Sequence, residues 1–303
     1  MRILANKREK YPLHQSPFYR LCNRRKLALL LGISAGELRQ LGKRNPALYS
    51  EFSVPKKNGG TRGVENPRRD LKLVQARIAR LLCRVVPPDY LFCPVKKRCY
   101  VTNAAKHRHQ RIVHCLDVKK YYPSTSSRRV YWFFNSVMKC TPDIAGLLTS
   151  VATYKDHLPT GSPLSPILAY FAFHDLWEDI ARRCKEQRCR LTVYIDDVTL
   201  SGSTMPAEFI WSIRQAIHRA GLRYHKEKHY VGRPAEITGV IVDGGRLAVP
   251  HRQLKKLHAT RQELASAKSN ALTRQLEGKV AGMLGQIKQI NSAQRQFGHI
   301  GHP

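Results

Sequence analysis

The sequence predicts an α+β protein, and three observations carry that prediction. Apolar residues make up 42% of the 303 positions, enough for a core of real size and too many for a disordered tail. Amphipathic stretches at helical spacing are separated by short runs of strand character. Gly-Gly pairs at 59–60 and 244–245 stand between such runs, where a hairpin turns.

In chain order, residues 1–50 are helical and basic, and "ISAGEL" carries a capping-box pattern from Ser34 to Glu37. Residues 52–67, "FSVPKKNGGTRGVENP", form two short strands around Gly59–Gly60. From Arg69 a helix keeps Leu71, Val74, Ile78, Leu81 and Leu82 in helical register, until "VVPPDY" ends it. "RIVHCLDVKKYY" is a strand leading to Pro123, which suits the first turn of the helix containing "RRVYWFFNSVM". "LPTGSPLSP" is a loop, after which Ser165 is positioned to cap, and Pro166 to open, one helix "ILAYFAFHDLWEDIARRC". An Asp-Asp hairpin, a helix over about 206–220 and the hairpin "AEITGVIVDGGRLAVP" follow. Beyond 251 the pattern is helical and basic, with Leu272, Leu276, Val280, Met283, Leu284, Ile287 and Ile290 forming one core-packing stripe.

Lys and Arg total 53 against 21 Asp and Glu, a net charge of +32. Such an excess implies a polyanionic partner, because self-repulsion opposes the compact state. Basic residues occur in every segment, which favours an extended nucleic-acid surface over a single membrane-binding patch. The longest apolar runs, "LALLLGI" at 27–33 and "ILAYFAF" at 167–173, fall far short of the roughly 20 residues of a membrane span. "MRILANKREK" lacks the apolar core of a secretory signal. Eight cysteines without a Cys-x-x-Cys pair read as reduced packing residues of a cytoplasmic protein rather than a zinc site.

Within "LTVYIDDVTLSG", residues 191–202, strand alternation would send Asp196 and Asp197 to opposite faces. Burying either one uncompensated costs several kcal/mol. The pair alone also reads as a solvated turn. Apolar strand residues flank it, however, and no Gly or Asn offers a tight turn. Asp117 in "HCLDVKKYY" occupies a similar place, at a strand end before a helix. Carboxylates converging at strand ends in so basic a chain point to hard divalent cations acting on phosphates. Two such ions would clamp the attacking and leaving oxygens of an in-line nucleotidyl transfer.

The order and spacing of "LDVKKYYP", "GSPLSP" and "YIDD" resemble the first palm motif, the Gly-x-x-x-Ser-Pro loop and the Tyr-x-Asp-Asp box of reverse transcriptases, over roughly residues 50–245. Asn103-Ala104-x-x-His107 before the first motif and Ile237-Thr238-Gly239 after the palm resemble the Asn-Ala-x-x-His and Val-Thr-Gly signatures of bacterial retron reverse transcriptases. The chain, short and without an appended RNase H, maturase or endonuclease domain, agrees with that type. It departs in Ile for Val, and in Thr160, where the family usually has a Gln that helps position template and nucleotide.

The resemblance implies a right-hand polymerase: N-terminal helices and fingers over 1–115, interleaved with a palm over 111–245, and a helical basic thumb over 246–303. It implies Asp117 and Asp196 as ligands of two Mg2+ ions, Asp197 as supporting carboxylate and Val118 as a carbonyl ligand. Tyr122 would be the steric gate against ribonucleotides. Lys57, Arg62 and Lys228 would hold the nucleotide's phosphates, Arg through its planar donor fork; His225 and His229 replace the family's Asn and Thr beside that last lysine. Gly161 and Ser165 would let backbone approach nucleotide and template. Asn103, His107, Thr238 and Gly239 would recognise RNA, His107 in a structural rather than general-base role, although His107 among Lys106, Arg108 and His109 also reads as plain RNA-facing charge.

The implied activity is RNA-directed DNA synthesis from deoxynucleoside triphosphates. Its template would be a cognate structured noncoding RNA, primed from an internal guanosine 2′-hydroxyl, and its product multicopy single-stranded DNA, a branched RNA–DNA. The family also implies anti-phage defence with a separate effector protein, and no membrane partner. A group II intron-like or defence-associated reverse transcriptase is the alternative within the family; an inactive RNA-binding scaffold is the alternative outside it.

Overall fold

The computed structural model describes residues 9–43, 46–55, 59–267 and 269–298, with side chains described as far as Gln296. Lys57 lies outside the described residues. Helix α1 (Arg24–Leu31) starts where the Asn23 side chain accepts the Lys26 N–H at 3.0 Å and stops at Gly32 with φ 74°. Helix α2 (Ala35–Leu41) opens with the expected box: Ser34 Oγ accepts the Glu37 N–H, and Glu37 accepts the Ser34 N–H at 2.7 Å. Strands β1 (Tyr49–Pro55) and β2 (Thr61–Pro67) pair antiparallel, and Gly59 and Gly60 between them take φ 81° and 76°. Helix α3 (Arg69–Leu82) buries Leu71, Val74, Ile78 and Leu82.

Next come β3 (Leu91–Cys93), α4 (Tyr100–Ala105), β4 (Ile112–Val118), α5 (Tyr121–Ser124), α6 (Ser127–Trp132), α7 (Pro142–Ala152), α8 (Ser165–Ala172) and α9 (His174–Glu186). They are followed by β5 (Arg190–Tyr194), β6 (Asp197–Gly202), α10 (Ala207–Arg219) and β7 (Tyr224–Val231). Strands β8 (Ala235–Ile237), β9 (Val240–Asp243) and β10 (Arg246–Ala248) make a small antiparallel sheet, and α11 (His251–Ala265) and α12 (Asn270–Gly298) close the chain.

Several boundaries differ from those expected. Pro123 lies in the separate short turn α5, and the following helix has its own cap, Ser126, whose hydroxyl accepts the Arg129 N–H. Ser165 is not a cap but the first residue of α8. The helix expected to continue from there breaks at Phe173, so α8 and α9 are separate. The stripe on α12 is only partly packed: Leu276 and Ile290 are buried, while Leu272 and Leu284 stay 43% and 40% exposed.

The central sheet has the order β3–β5–β6–β4–β7, antiparallel except where β3 meets β5. One face, with Leu116, Val118, Val193, Val198 and Leu200, belongs to the main core shared with α3 and α7 to α10. The opposite face carries Val113, Cys115 and Asp117 along β4. Its Val113 end is roofed by α4, the small sheet and Ile290 of α12, which form a second core. The Asp117 end has no such roof, and there a cavity opens.

Candidate active site

The open end is built by cross-strand register. Asp117 on β4 pairs with Asp197 on β6 on one side and with Lys226 on β7 on the other, and Tyr194 pairs with Asp197 across the β5–β6 hairpin. Partners in an antiparallel ladder share a face, so Asp117 and Asp197 look the same way. Asp196 is not a mid-strand residue, as alternation would have it. It forms the two-residue turn with Ile195, and its carbonyl accepts the Val118 N–H at 2.8 Å. The turn forms without Gly or Asn because Ile195 itself takes φ 60°. A positive φ at the first turn position alone is the type II′ pattern, which favours glycine. A β-branched residue there is strained, and such strain gathers at functional sites.

A cavity of about 300 Å3 lies over this end, lined by Asp117, Asp197, Tyr194, Lys226, Lys228 and the Thr238–Gly239 turn. Burial, then the charges of Asp196 and Asp117, push Asp197 up to about 6. Asp196 is raised as well, by burial first and then by Asp117, with its own backbone N–H and the Arg62 and His225 charges opposing. His225 Nδ1 stands 3.4 Å from Asp117 Oδ1. Desolvated carboxylates that repel one another favour a cation among them, and an all-oxygen donor set suits a hard divalent ion. Among the described residues no group of three or more His, Cys, Asp or Glu side chains stands in metal-holding geometry. Hard cations at nucleotide sites need fewer, because phosphates and waters complete the shell.

Tyr122 sits beside this centre. Its hydroxyl is pushed up by burial and then by the Asp196 charge, while Arg62 acts on both groups. Its ring packs near-parallel to that of Tyr121, centroids 6.2 Å apart. Tyr121 is anchored in turn: its hydroxyl donates to Ala169 O at 3.0 Å and accepts from Trp177 Nε1 at 3.3 Å.

The 159–165 loop is docked on β2. Gly161 N–H donates to Glu65 O at 3.1 Å, and a Cβ at Gly161 would stand 2.7 Å from that oxygen. Thr160 Oγ1 accepts the Glu65 N–H at 3.1 Å and donates to Gly63 O at 3.2 Å. Thr160 thus clamps the loop to the hairpin. Ser165, expected near the template, is 0% exposed and donates its hydroxyl to Pro159 O at 2.6 Å. It closes its own loop.

The two retron-like signatures meet. Asn103 on α4, 1% exposed, donates from Nδ2 to Thr238 Oγ1 at 3.3 Å, and the Thr238 hydroxyl donates to Tyr100 O at 3.0 Å. Thr238 and Gly239, at φ 45° and 83°, make the two-residue turn between β8 and β9. Gln253 of α11 holds that turn through Gly239 O. Asn103 is thus a brace for the turn, and Thr238 and Gly239 are the residues that reach the cavity.

His107 lies inside the protein rather than in a basic surface run. It is 0% exposed, with Nδ1 2.7 Å from Ser201 Oγ and Nε2 2.8 Å from Thr192 Oγ1. Burial, helped by the Arg190 and Lys106 charges, presses its pKa down to about 3, so the ring is neutral. It pins the end of α4 to the sheet. Residues that sequence reasoning missed are Lys226, Tyr194 and Tyr100. Lys226 was legible in principle, two places before Lys228 and so on the same strand face.

The family model for reverse transcriptase (RNA-dependent DNA polymerase) matches residues 54–242. The chain is 31% identical over 177 residues to the retron Se72 reverse transcriptase of Salmonella heidelberg, 58% of this chain and 47% of that protein. It is 29% identical over 301 residues to the retron Mx65 reverse transcriptase of Myxococcus xanthus, 89% and 69% of the two chains. It is 26% identical over 255 residues to the retron Ec86 reverse transcriptase of Escherichia coli, 80% and 77%. The matched region thus spans about half of the first of these relatives and more than two thirds of the other two. The family match includes Asp117, the 159–165 loop and the Asp196–Asp197 hairpin, and with retron reverse transcriptases as its relatives the chain belongs to the reverse transcriptase family.

Proposed function

We propose that this chain is a retron-type RNA-directed DNA polymerase, which reverse-transcribes a cognate structured noncoding RNA into multicopy single-stranded DNA from a guanosine 2′-hydroxyl of that RNA. The observation that carries the reading is the register pairing of Asp117 with Asp197 on the open sheet face, with Asp196 in the adjoining turn. Asp117, Asp196 and the Val118 carbonyl would hold two Mg2+ ions, with Asp197 supporting. Bound there, such ions would supply activation of the attacking hydroxyl and charge neutralisation of the leaving pyrophosphate.

The chain's own side chains do the rest. Arg62, and Lys57 on the same hairpin, hold the triphosphate. Tyr122 presents its ring where a ribose 2′-hydroxyl would clash, which selects deoxynucleotides. Lys228 and Lys226 draw the phosphates in, and the Thr238–Gly239 turn meets the RNA. The segments divide as fingers over 1–115, palm over 111–245 and thumb over 246–303. No helix among the described residues is long and apolar enough to cross a membrane; we place the protein in the cytoplasm, serving anti-phage defence with a separate effector.

The test is to purify the protein from its host and sequence the nucleic acid that accompanies it. A branched RNA–DNA joined through a guanosine 2′-oxygen is expected. A linear product, or RNA with no DNA made in the presence of deoxynucleotides, would overturn the retron reading.

A further inference from the structure

A second charged recess lies at the far edge of the central sheet. β3 is three residues long and pairs with Val193 and Tyr194 alone, so Arg190, Leu191 and Thr192 of β5 have no strand neighbour on that side. The open edge floors a recess of about 820 Å3 between α4 and α9. Six cations line it, Lys97, Arg98, Lys106, Arg108, Lys185 and Arg190, against the one carboxylate of Asp89, which is exposed and 3.6 Å from Arg98. Among the described residues no carboxylate lies within ion-pair distance of Lys97, Lys106, Lys185 or Arg190.

Two of the guanidiniums are held by neutral groups. Arg98 Nη1 donates to Pro88 O at 2.6 Å and Leu91 O at 2.5 Å; Arg190 Nη1 donates to Lys106 O at 2.7 Å and Arg108 O at 3.1 Å. Carbonyls fix the direction of a guanidinium without cancelling its charge. The positive potential is felt locally, since Arg190 helps depress both the neutral His107 ring and the Arg108 guanidinium.

We propose that this notch is a nucleic-acid exosite, in which the phosphate backbone of the structured RNA is gripped outside the polymerase cleft. The proposal rests on the RNA partner of the preceding reading. Guarding an open edge against other strands is a rival use of charge, but it needs cations on the edge strand itself. Here they converge from the 95–98 loop, α4 and the residues after it, α9 and β5. Helix α4 divides the work: Val101, Asn103 and Ala104 face the protein, while Thr102, Ala105 and the adjacent Lys106 face the recess. The segment whose sequence resembles an RNA-recognition signature would therefore meet RNA through the side opposite its Asn and His.

The test compares the exposed-lysine variant K97E/K106E/K185E with an equal charge change on α1 and α2, R25E/K26E/R39E. Phosphate contacts carry no sequence information, so a labelled transcript folding into two stem-loops serves as probe, beside a short unstructured primer–template. The notch variant is expected to extend the short primer–template within about 2-fold of wild type. It should bind the stem-loop RNA about 10-fold or more weakly, with a salt slope shallower by about two to three units, while the control stays within about 2-fold. Binding equal to the control's would overturn the proposal. So would equal loss on both substrates, or loss confined to a DNA hairpin of the same sequence. Failure of wild type to extend the short primer–template would instead break the polymerase reading, because RNA affinity judges the notch independently.

Discussion

The two ends of one sheet face meet polar side chains in opposite condition, fully buried and satisfied at the roofed end, half-buried and in mutual repulsion at the open end. At the roofed end, His107 uses both ring nitrogens on Thr192 and Ser201 and stays uncharged. At the open end, Asp196 and Asp197 are both raised by burial first and then by neighbouring carboxylates, Asp117 for both and Asp196 for Asp197. The strands are the same; the roof of α4, the small sheet and α12 differs. At the roofed end the fold satisfies His107 with its own hydroxyls, and the ring then holds structure together. At the open end it leaves carboxylates in mutual repulsion, and a cation is the partner that the proposed function supplies.

The largest expected effect lies at the open end. Asp117→Asn, or Asn at both Asp196 and Asp197, should lower RNA-templated DNA synthesis by about 10^3-fold or more, about 4 kcal/mol of transition-state stabilisation. RNA binding should stay within about 2-fold, and the melting temperature should not fall, because repulsion is removed. Synthesis persisting near wild-type rate would erase the distinction between the two ends.

At the roofed end the effect should fall on stability. His107→Ala leaves two buried hydroxyls without partners and a void, costing about 3 kcal/mol in urea unfolding. The wild-type pH dependence has a fixed sign. Between the ordinary histidine value of about 6.5 and the folded value of about 3, the unfolded chain binds a proton that the folded ring refuses, so stability falls as pH drops through that window. His107→Gln, which can still bond both hydroxyls, should flatten that slope; an unchanged slope would mean the ring is already charged.

A smaller change tests how the hairpin meets the centre. In Gly161→Ala the new Cβ would press on the β2 backbone at Glu65 and Asn66, costing about 1–3 kcal/mol or displacing the hairpin that carries Arg62. A raised KM for nucleotide with intact RNA binding is the expected signature. Tyr122→Ala should raise ribonucleotide incorporation; unaltered sugar selectivity would remove the gate.

Much of the open end was legible in the sequence because its signals are local. The Asp-Asp pair, Asp117 at a strand end and the Gly-Pro loop each announce themselves within a few residues, as do the Gly59–Gly60 hairpin and the Ser34 box. The turn at Ile195 was not, since propensity argues against an Ile at positive φ and only the surrounding strands enforce it. Strand β7 was hidden because "YHKEKHYV" is mostly exposed and shows no apolar alternation. The roofed end was illegible for a different reason. The hydroxyls that neutralise His107 come from 85 and 94 residues away, so the sequence shows a histidine in a basic run and nothing of its burial. Local chemistry is readable one segment at a time; whether a polar group is satisfied depends on contacts that only folding supplies.

The most direct test is divalent-cation affinity, followed by electron paramagnetic resonance with Mn2+ on protein holding a primed RNA template and a non-incorporable deoxynucleotide. Wild type should bind Mn2+, with Asp117→Asn and Asp197→Asn each weakening it by about 10-fold or more and His107→Gln leaving it unchanged. Equal Mn2+ affinity in wild type and both Asp variants would contradict the account.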